Sequence, residues 1–151
     1  MDYNEAIEGR SDAVDFYKAR GNAYYAKQDY DHAIAEFNEA IRLDPNDAVA
    51  FNGRGIAYYA KLDNDRAIAD FNEAIKLNPE IAVILKNRAN AYYLKQEYDR
   101  ALSDYNEAIR LNPKDAVSLY YRGLIKQRKG DNAGGKADIA AAKKLDPNAD
   151  K

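Results

Sequence analysis

Arg20-Gly21-Asn22-Ala23-Tyr24-Tyr25-Ala26-Lys27 returns as Arg54-Gly55-Ile56-Ala57-Tyr58-Tyr59-Ala60-Lys61, and again as Arg88-Ala89-Asn90-Ala91-Tyr92-Tyr93-Leu94-Lys95. The step is 34 residues each time. A second block, Phe37-Asn38-Glu39-Ala40-Ile41, recurs from Phe71, and from Tyr105 with tyrosine in the lead. Prolines stand at 45, 79, 113 and 147, again 34 apart, and these are all the prolines of the chain. Self-similarity at a fixed period of this size marks an array of one repeated supersecondary unit.

Within a unit the apolar period is helical. Tyr17, Gly21, Tyr24 and Tyr25 fall at i, i+4, i+7 and i+8 on one helix, and Ala33, Ile34, Phe37, Ala40 and Ile41 form the stripe of a second. Between them Lys27-Gln28-Asp29-Tyr30-Asp31 makes a polar turn, with acids where the second helix's dipole favours them. Leu43-Asp44-Pro45 closes the unit, because proline cannot continue a helix interior. Each unit therefore reads as a helical hairpin, and the chain as all-α.

The chain resembles the tetratricopeptide repeat family. Counting units from Val14, Ala48, Ala82 and Ala116, the family's small first-helix residue matches Gly21, Gly55, Ala89 and Gly123. Its first-helix tyrosine matches Tyr24, Tyr58 and Tyr92, with Lys126 in the fourth unit. The second-helix alanine matches Ala33, Ala67 and Ala101, with Gly135 the exception, and the aromatic matches Phe37, Phe71 and Tyr105, with Ile139 the exception. Ala40, Ala74, Ala108 and Ala142 and the closing prolines match throughout. The resemblance implies a right-handed superhelical solenoid of antiparallel helix hairpins. It divides one domain, 1–151, into repeats at 14–47, 48–81, 82–115 and 116–149, with 1–13 the second helix of a partial repeat.

Both ends carry expectations. Asp2-Tyr3-Asn4-Glu5-Ala6-Ile7 reads like Asp104-Tyr105-Asn106-Glu107-Ala108-Ile109, and Tyr3 precedes Tyr17 by 14 residues, as Phe37 precedes Phe51. Residues 2–9 are thus expected to form a second helix without its first, either as a piece of a longer array or as a half-repeat cap. At the other end, Lys136 and Lys143 replace the pairs Ile34 and Ile41, Ile68 and Ile75, and Leu102 and Ile109. A terminal repeat needs such a polar outer face. The glycines at 130, 134 and 135 are expected to loosen this last hairpin.

Composition narrows the function. The 151 residues carry net charge -2, 32% charged groups and thirteen tyrosines against four phenylalanines. That balance suits neither a disordered acidic chain nor a basic nucleic-acid tail. Zero cysteines exclude disulfides, thiolate zinc sites and cysteine nucleophiles. The chain has no apolar run approaching the ~20 residues of a membrane span. Met1-Asp2-Tyr3-Asn4-Glu5 is unlike a signal peptide, so the cytoplasm is the default expectation.

No catalytic constellation survives inspection. Gly130-Asp131-Asn132-Ala133-Gly134-Gly135-Lys136 fits the phosphate-binding pattern G-x-x-x-x-G-K, but Ala137 follows where a magnesium-holding hydroxyl belongs, and no strand precedes. His32 is the lone histidine and reads as a surface residue. Asp63-Asn64-Asp65 lacks the glycine and glutamate of a calcium loop and reads as helix-capping acids. The chain is therefore expected to be a non-enzyme, without metal or cofactor.

The resemblance also implies that first helices line a concave groove. The expected groove residues are Lys18, Asn22 and Tyr25, then Asn52, Ile56 and Tyr59, then Lys86, Asn87, Asn90 and Tyr93, then Tyr120, Leu124 and Arg128. Tyr24, Tyr58 and Tyr92 are expected in the core instead. Tyrosine supplies rigid contact area with a polar tip, and asparagine can both donate to and accept from a peptide bond. The surface suits an extended peptide or helix of another protein, making the chain an adaptor or scaffold. The alternative is a self-association module using the open ends of the array, giving a homo-oligomer. Nucleic acid is not an expected partner. Some related domains clamp a chaperone's C-terminal carboxylate with Lys, Asn, Asn, Lys and Arg. Here Lys18 and Asn22 match the first pair, but Gly53, Val83 and Asn87 fill the other places. One unit later Asn87 matches, and Val117 and Tyr121 break the pattern.

Overall fold

A computed structural model describes residues 3–149, with side chains from Ser11 onward. Its helices are α1 (Tyr3–Ala26), α2 (Tyr30–Leu43), α3 (Ala48–Ala60), α4 (Asn64–Leu77), α5 (Ala82–Leu94), α6 (Tyr98–Leu111), α7 (Ala116–Arg128) and α8 (Asn132–Leu145). The described residues form no strand. The chain is an all-α repeat solenoid, built of the hairpins α1/α2, α3/α4, α5/α6 and α7/α8. It divides into two compact units, Met1–Pro79 and Glu80–Lys151, each holding two hairpins.

Short local signals set these boundaries. Asp29, Asp63 and Asp131 cap the second helices by accepting from the backbone N–H groups of His32, Arg66 and Gly134. Asp47 and Asp115 do the same for the first helices α3 and α7. Ile81 begins α5 without a side-chain cap. Gln28, Leu62 and Gln96 take left-handed backbone at φ 62, 62 and 61°, ending α1, α3 and α5, and Gly130 follows at 92°. Gly130 therefore relieves strain that the other three turns carry, and does not loosen its hairpin. Gly135 corrects the same expectation. A Cβ there would lie 2.6 Å from the Gly123 carbonyl oxygen, so its bareness lets α7 and α8 approach closely.

The N-terminal expectation also changes. Residues from Tyr3 do not form a separate helix ending before Val14, because α1 runs unbroken for 24 residues to Ala26. Ser11 stands where the other units hold proline, so no ring blocks the helix there. Asp2 lies outside the described residues.

The core follows the repeat. Ala33, Ala67 and Ala101, and Ala40, Ala74, Ala108 and Ala142, are all fully buried, as are Phe71 and Tyr105. In the first unit Phe37 sits with Ala33 and Ala57, flanked by Tyr24 and Ile34. In the second, Leu119, Ala142 and Ala149 pack with Ile109, Ala116 and Tyr120. Lys136 and Lys143 are exposed, whereas Ile34, Ile41, Leu102 and Ile109 at the equivalent places are half-buried. Replacing both lysines by Ile should make the chain associate, because it creates an apolar stripe on an exposed helix. Light scattering that still reports monomer would count against the capping role.

Candidate functional site

On α1, Lys18, Asn22 and Tyr25 form one stripe at i, i+4 and i+7, and Asn52, Ile56 and Tyr59 repeat it on α3. The second unit presents Lys86, Asn87, Asn90 and Tyr93 on α5 and Tyr120, Leu124 and Arg128 on α7. Asn22, Tyr25 and Arg128 are exposed, and the other ten are half-buried.

The lysines of this stripe are engaged within the chain. Lys18 Nζ lies 2.6 Å from Asp47 and 3.0 Å from Asp15, and Lys86 Nζ lies 3.1 Å from Asp115. Asp47 and Asp115 are the caps of the next first helices, so each pair ties consecutive hairpins of one unit together. Burial works to lower the Lys18 pKa, but the bonds to Asp47 and Asp15 outweigh it and the net shift is upward. Arg128 donates to the Tyr98 hydroxyl at 2.7 Å and lies 4.7 Å above its ring. The groove's cations are therefore engaged within the chain, and the remaining polar groups of the stripe are phenols and amides.

The tyrosines sort by neighbour. Tyr92 is buried, whereas Tyr24 stacks on His32 at 5.1 Å and Tyr58 lies 4.5 Å beneath Arg66. Both stay half-buried, Tyr24 packing against the Phe37 core from its edge, so this position is fully buried only in the third repeat. His32 is an exposed residue whose ring nitrogen meets the Asp29 carboxylate at 2.8 Å. Tyr25 pairs with Tyr30 at 5.5 Å between ring centroids, and Tyr93 with Tyr98 at 5.6 Å. In the second unit Tyr121 extends the cluster, 4.9 Å from Tyr93 and stacked on Tyr105 at 6.1 Å. Burial and the neighbouring phenols push the Tyr93 pKa upward. Asn90 accepts from the Tyr105 hydroxyl at 2.6 Å.

An ion-pair ladder, absent from the expected groove residues, runs through the hairpins. Arg54 grips Asp70 with two bonds of 2.8 and 2.6 Å, Arg88 grips Asp104 at 2.7 and 2.7 Å, and Arg122 grips Asp138 likewise. Arg20 meets Glu36 at 2.8 Å in the first hairpin. The signal was present at the repeat step: arginine at 20, 54, 88 and 122, and an acid 16 residues after each. Arg54 also donates to Asn38 at 2.7 Å, and Arg122 to Asn106 at 3.2 Å, so each reaches the preceding hairpin of its unit. The partner carboxylates and the hydrogen bonds hold Arg54 and Arg88 above their ordinary pKa.

One surface pocket is lined by groups that already have partners. It encloses about 410 Å³ among Gln96, Glu97, Tyr98, Asp99, Arg100 and Lys129. Its charges pair among themselves, Lys129 with Asp99 at 2.5 Å and Arg100 with Glu97 at 2.8 Å. At the phosphate-loop look-alike, the Gly134 N–H donates to Asp131.

Comparison with known proteins agrees with this architecture. A family model described as TPR repeat matches residues 21–61, and one described as Tetratricopeptide repeat matches 48–81 and 82–115. No curated protein matches the chain. Among solved structures, the first TPR of Spaghetti (RPAP3), bound to the HSP90 peptide SRMEEVD, is 26% identical, with TM-score 0.78, covering 80% of this chain and 95% of that one. MamA is 21% identical with TM-score 0.82, over 97% of this chain and 85% of its own. Pseudomonas aeruginosa pilF is 22% identical with TM-score 0.83, over 93% and 64%. These last two likenesses are of fold alone. The repeat period, the buried small residues and the matched family models together place the chain in the tetratricopeptide repeat family.

Proposed function

We propose that this chain is a non-catalytic adaptor that holds a segment of a partner protein against its first-helix faces. One observation carries the reading: each unit displays a tyrosine pair beside an asparagine, Tyr25 and Tyr30 near Asn22, and Tyr93 and Tyr98 near Asn90. Rings left half-exposed rather than sunk in the core are the kind of rigid, polar-tipped anchors that dominate binding surfaces. The peptide held by the Spaghetti domain supports the same mode of use.

The test is selection from a displayed library of random peptides, followed by calorimetry with the winners. Replacing Tyr25, Tyr59 and Tyr93 together by Ala should weaken capture by at least about a hundredfold, since truncated aromatic anchors cost on the order of 1–2 kcal/mol each. Circular dichroism should show the helices intact. Melted helicity would instead mark these tyrosines as core. The peptide SRMEEVD is expected not to bind measurably. Lys18 is paired with Asp47, and Gly53, Val83 and Asn87 leave the remaining clamp places without the needed groups. Tight binding of that peptide, lost on amidating its C-terminus, would overturn this part of the reading.

A further inference from the structure

A second period runs through the array, twice as long as the first. Lys18, Asn22, Gln28, Tyr30 and Asp47 recur 68 residues later as Lys86, Asn90, Gln96, Tyr98 and Asp115. Midway between them stand Asn52, Ile56, Leu62, Asn64 and Ile81, which match at none of the five places. The structure turns this alternation into geometry. The Lys18–Asp47 and Lys86–Asp115 pairs lie at 2.6 and 3.1 Å, and the Tyr25–Tyr30 and Tyr93–Tyr98 pairs at 5.5 and 5.6 Å. In the second repeat Asn64 stands where Tyr30 and Tyr98 do, so no such pair can form. Each compact unit thus holds one copy of the same constellation.

We infer that Asn22, Tyr25 and Tyr30 in the first unit, and Asn90, Tyr93 and Tyr98 in the second, are two copies of one docking site for an uncharged proline-rich segment in the polyproline II conformation. The inference rests on the adaptor reading and names its ligand. Charge is the first argument. Asp47 and Asp115 pair with the adjacent lysines, and Arg128 is held against the Tyr98 hydroxyl and ring, so these cations are already engaged within the chain rather than presented to a charged segment. Hydrogen bonding is the second. Asparagine amides and phenol hydroxyls are donors, and a polyproline II strand leaves its carbonyls unbonded, whereas a helix consumes its own. Shape is the third: the tyrosine faces are flat and apolar, as prolyl rings are, and a stiff ligand loses little entropy on docking.

The two copies are not equally organised. Tyr105 donates to Asn90 Oδ1 and so fixes the orientation of that amide, whereas Phe37 at the equivalent place has no hydroxyl to offer Asn22. Tyr121 buttresses Tyr93 and Arg128 fixes the Tyr98 hydroxyl, whereas Gly53 and Ala60 occupy those places in the first unit. The second copy is pre-organised and binds more tightly.

The experiment titrates the full chain with acetylated, amidated decaproline by calorimetry, with a Gly-Ser peptide of equal length as control. Two decaprolines should bind per chain, with affinities at least several-fold apart, and the control should not bind. Tyr93→Ala should remove the tighter class and Tyr25→Ala the weaker. On the unaltered chain, decaproline should shift the NMR ring signals of Tyr25, Tyr30, Tyr93 and Tyr98, a readout that does not depend on the variants folding. One decaproline per chain, no saturable binding, or shifts confined to other residues would each overturn the inference. If decaproline fails while library-selected peptides still bind and are lost in the triple tyrosine variant, the adaptor reading stands and the proline-rich ligand falls.

Discussion

Phe37→Ala is expected to destabilise the first unit by about 3–5 kcal/mol, the usual cost of emptying a fully buried phenylalanine site. The ring is 2% exposed and packs with Ala33, Ala57, Tyr24 and Ile34. Its place depends on two absent side chains. A Cβ on Gly53 would come within 2.4 Å of ring carbon Cε1, and one on Gly21 within 3.1 Å of Cζ. One ring on α2 therefore fills the room left by glycines on α1 and α3. This predicts a reversal of sign. In the native background Gly53→Ala should gain about 1 kcal/mol of helix propensity yet lose more to overpacking, which costs ~1–3 kcal/mol. In a Phe37→Leu background the crowding ring atoms are gone, and Gly53→Ala should become stabilising. Denaturant melts of the four chains form a double-mutant cycle. If Gly53→Ala were equally harmful in both backgrounds, the ring would not be what occupies that space.

What was legible follows from where the repeat speaks. Prolines, capping acids and small residues each recur at the 34-residue step, so the chain aligns with itself and the helices and buried alanines can be read from it. The start of α1 was harder. Residues 2–7 copy the second-helix face of Asp104–Ile109, but a helix ends where its backbone is interrupted, and Ser11 interrupts nothing. The engagement of Lys18 and Lys86 was written in the regular 29-residue step to an aspartate, yet a groove read from first helices alone omits the cap of the next one. Tyr92 differs from Tyr24 and Tyr58 for a reason no period carries. All three have a polar second-helix neighbour at one repeat position, His32, Arg66 and Arg100, so the sequence pattern there does not separate them. Side-chain partners across helices, unlike helix positions, have to be found in three dimensions.

Breaking the arginine ladder should be nearly as costly as emptying the core. Arg54→Ala removes both bonds to Asp70, a residue only 5% exposed, and the bond to Asn38. A stranded buried carboxylate costs about 3–5 kcal/mol when no solvent reaches it, and the lower end applies because the guanidinium side borders water. Lysine should not rescue the site, since it lacks the planar two-pronged donor. Removing both partners as Arg54→Leu with Asp70→Leu should recover most of the loss, because no charge is then left uncompensated. Arg20→Ala should do far less, as the Arg20 side chain is 44% exposed. The ladder also sets an acid limit. Burial pushes the Asp138 pKa up, but Arg122 and Lys126 pull it further down, so it lies below the ordinary aspartate value in the folded chain. Its contribution is complete above about pH 4 and is lost as pH falls through that lowered pKa. Thermal melts should therefore drop steeply below about pH 4, and Asp138→Asn should lower the neutral-pH melting temperature while flattening that acid limb. Equal acid sensitivity in the native and Asp138→Asn chains would show that Arg122 and Lys126 hold the last hairpin through packing rather than charge.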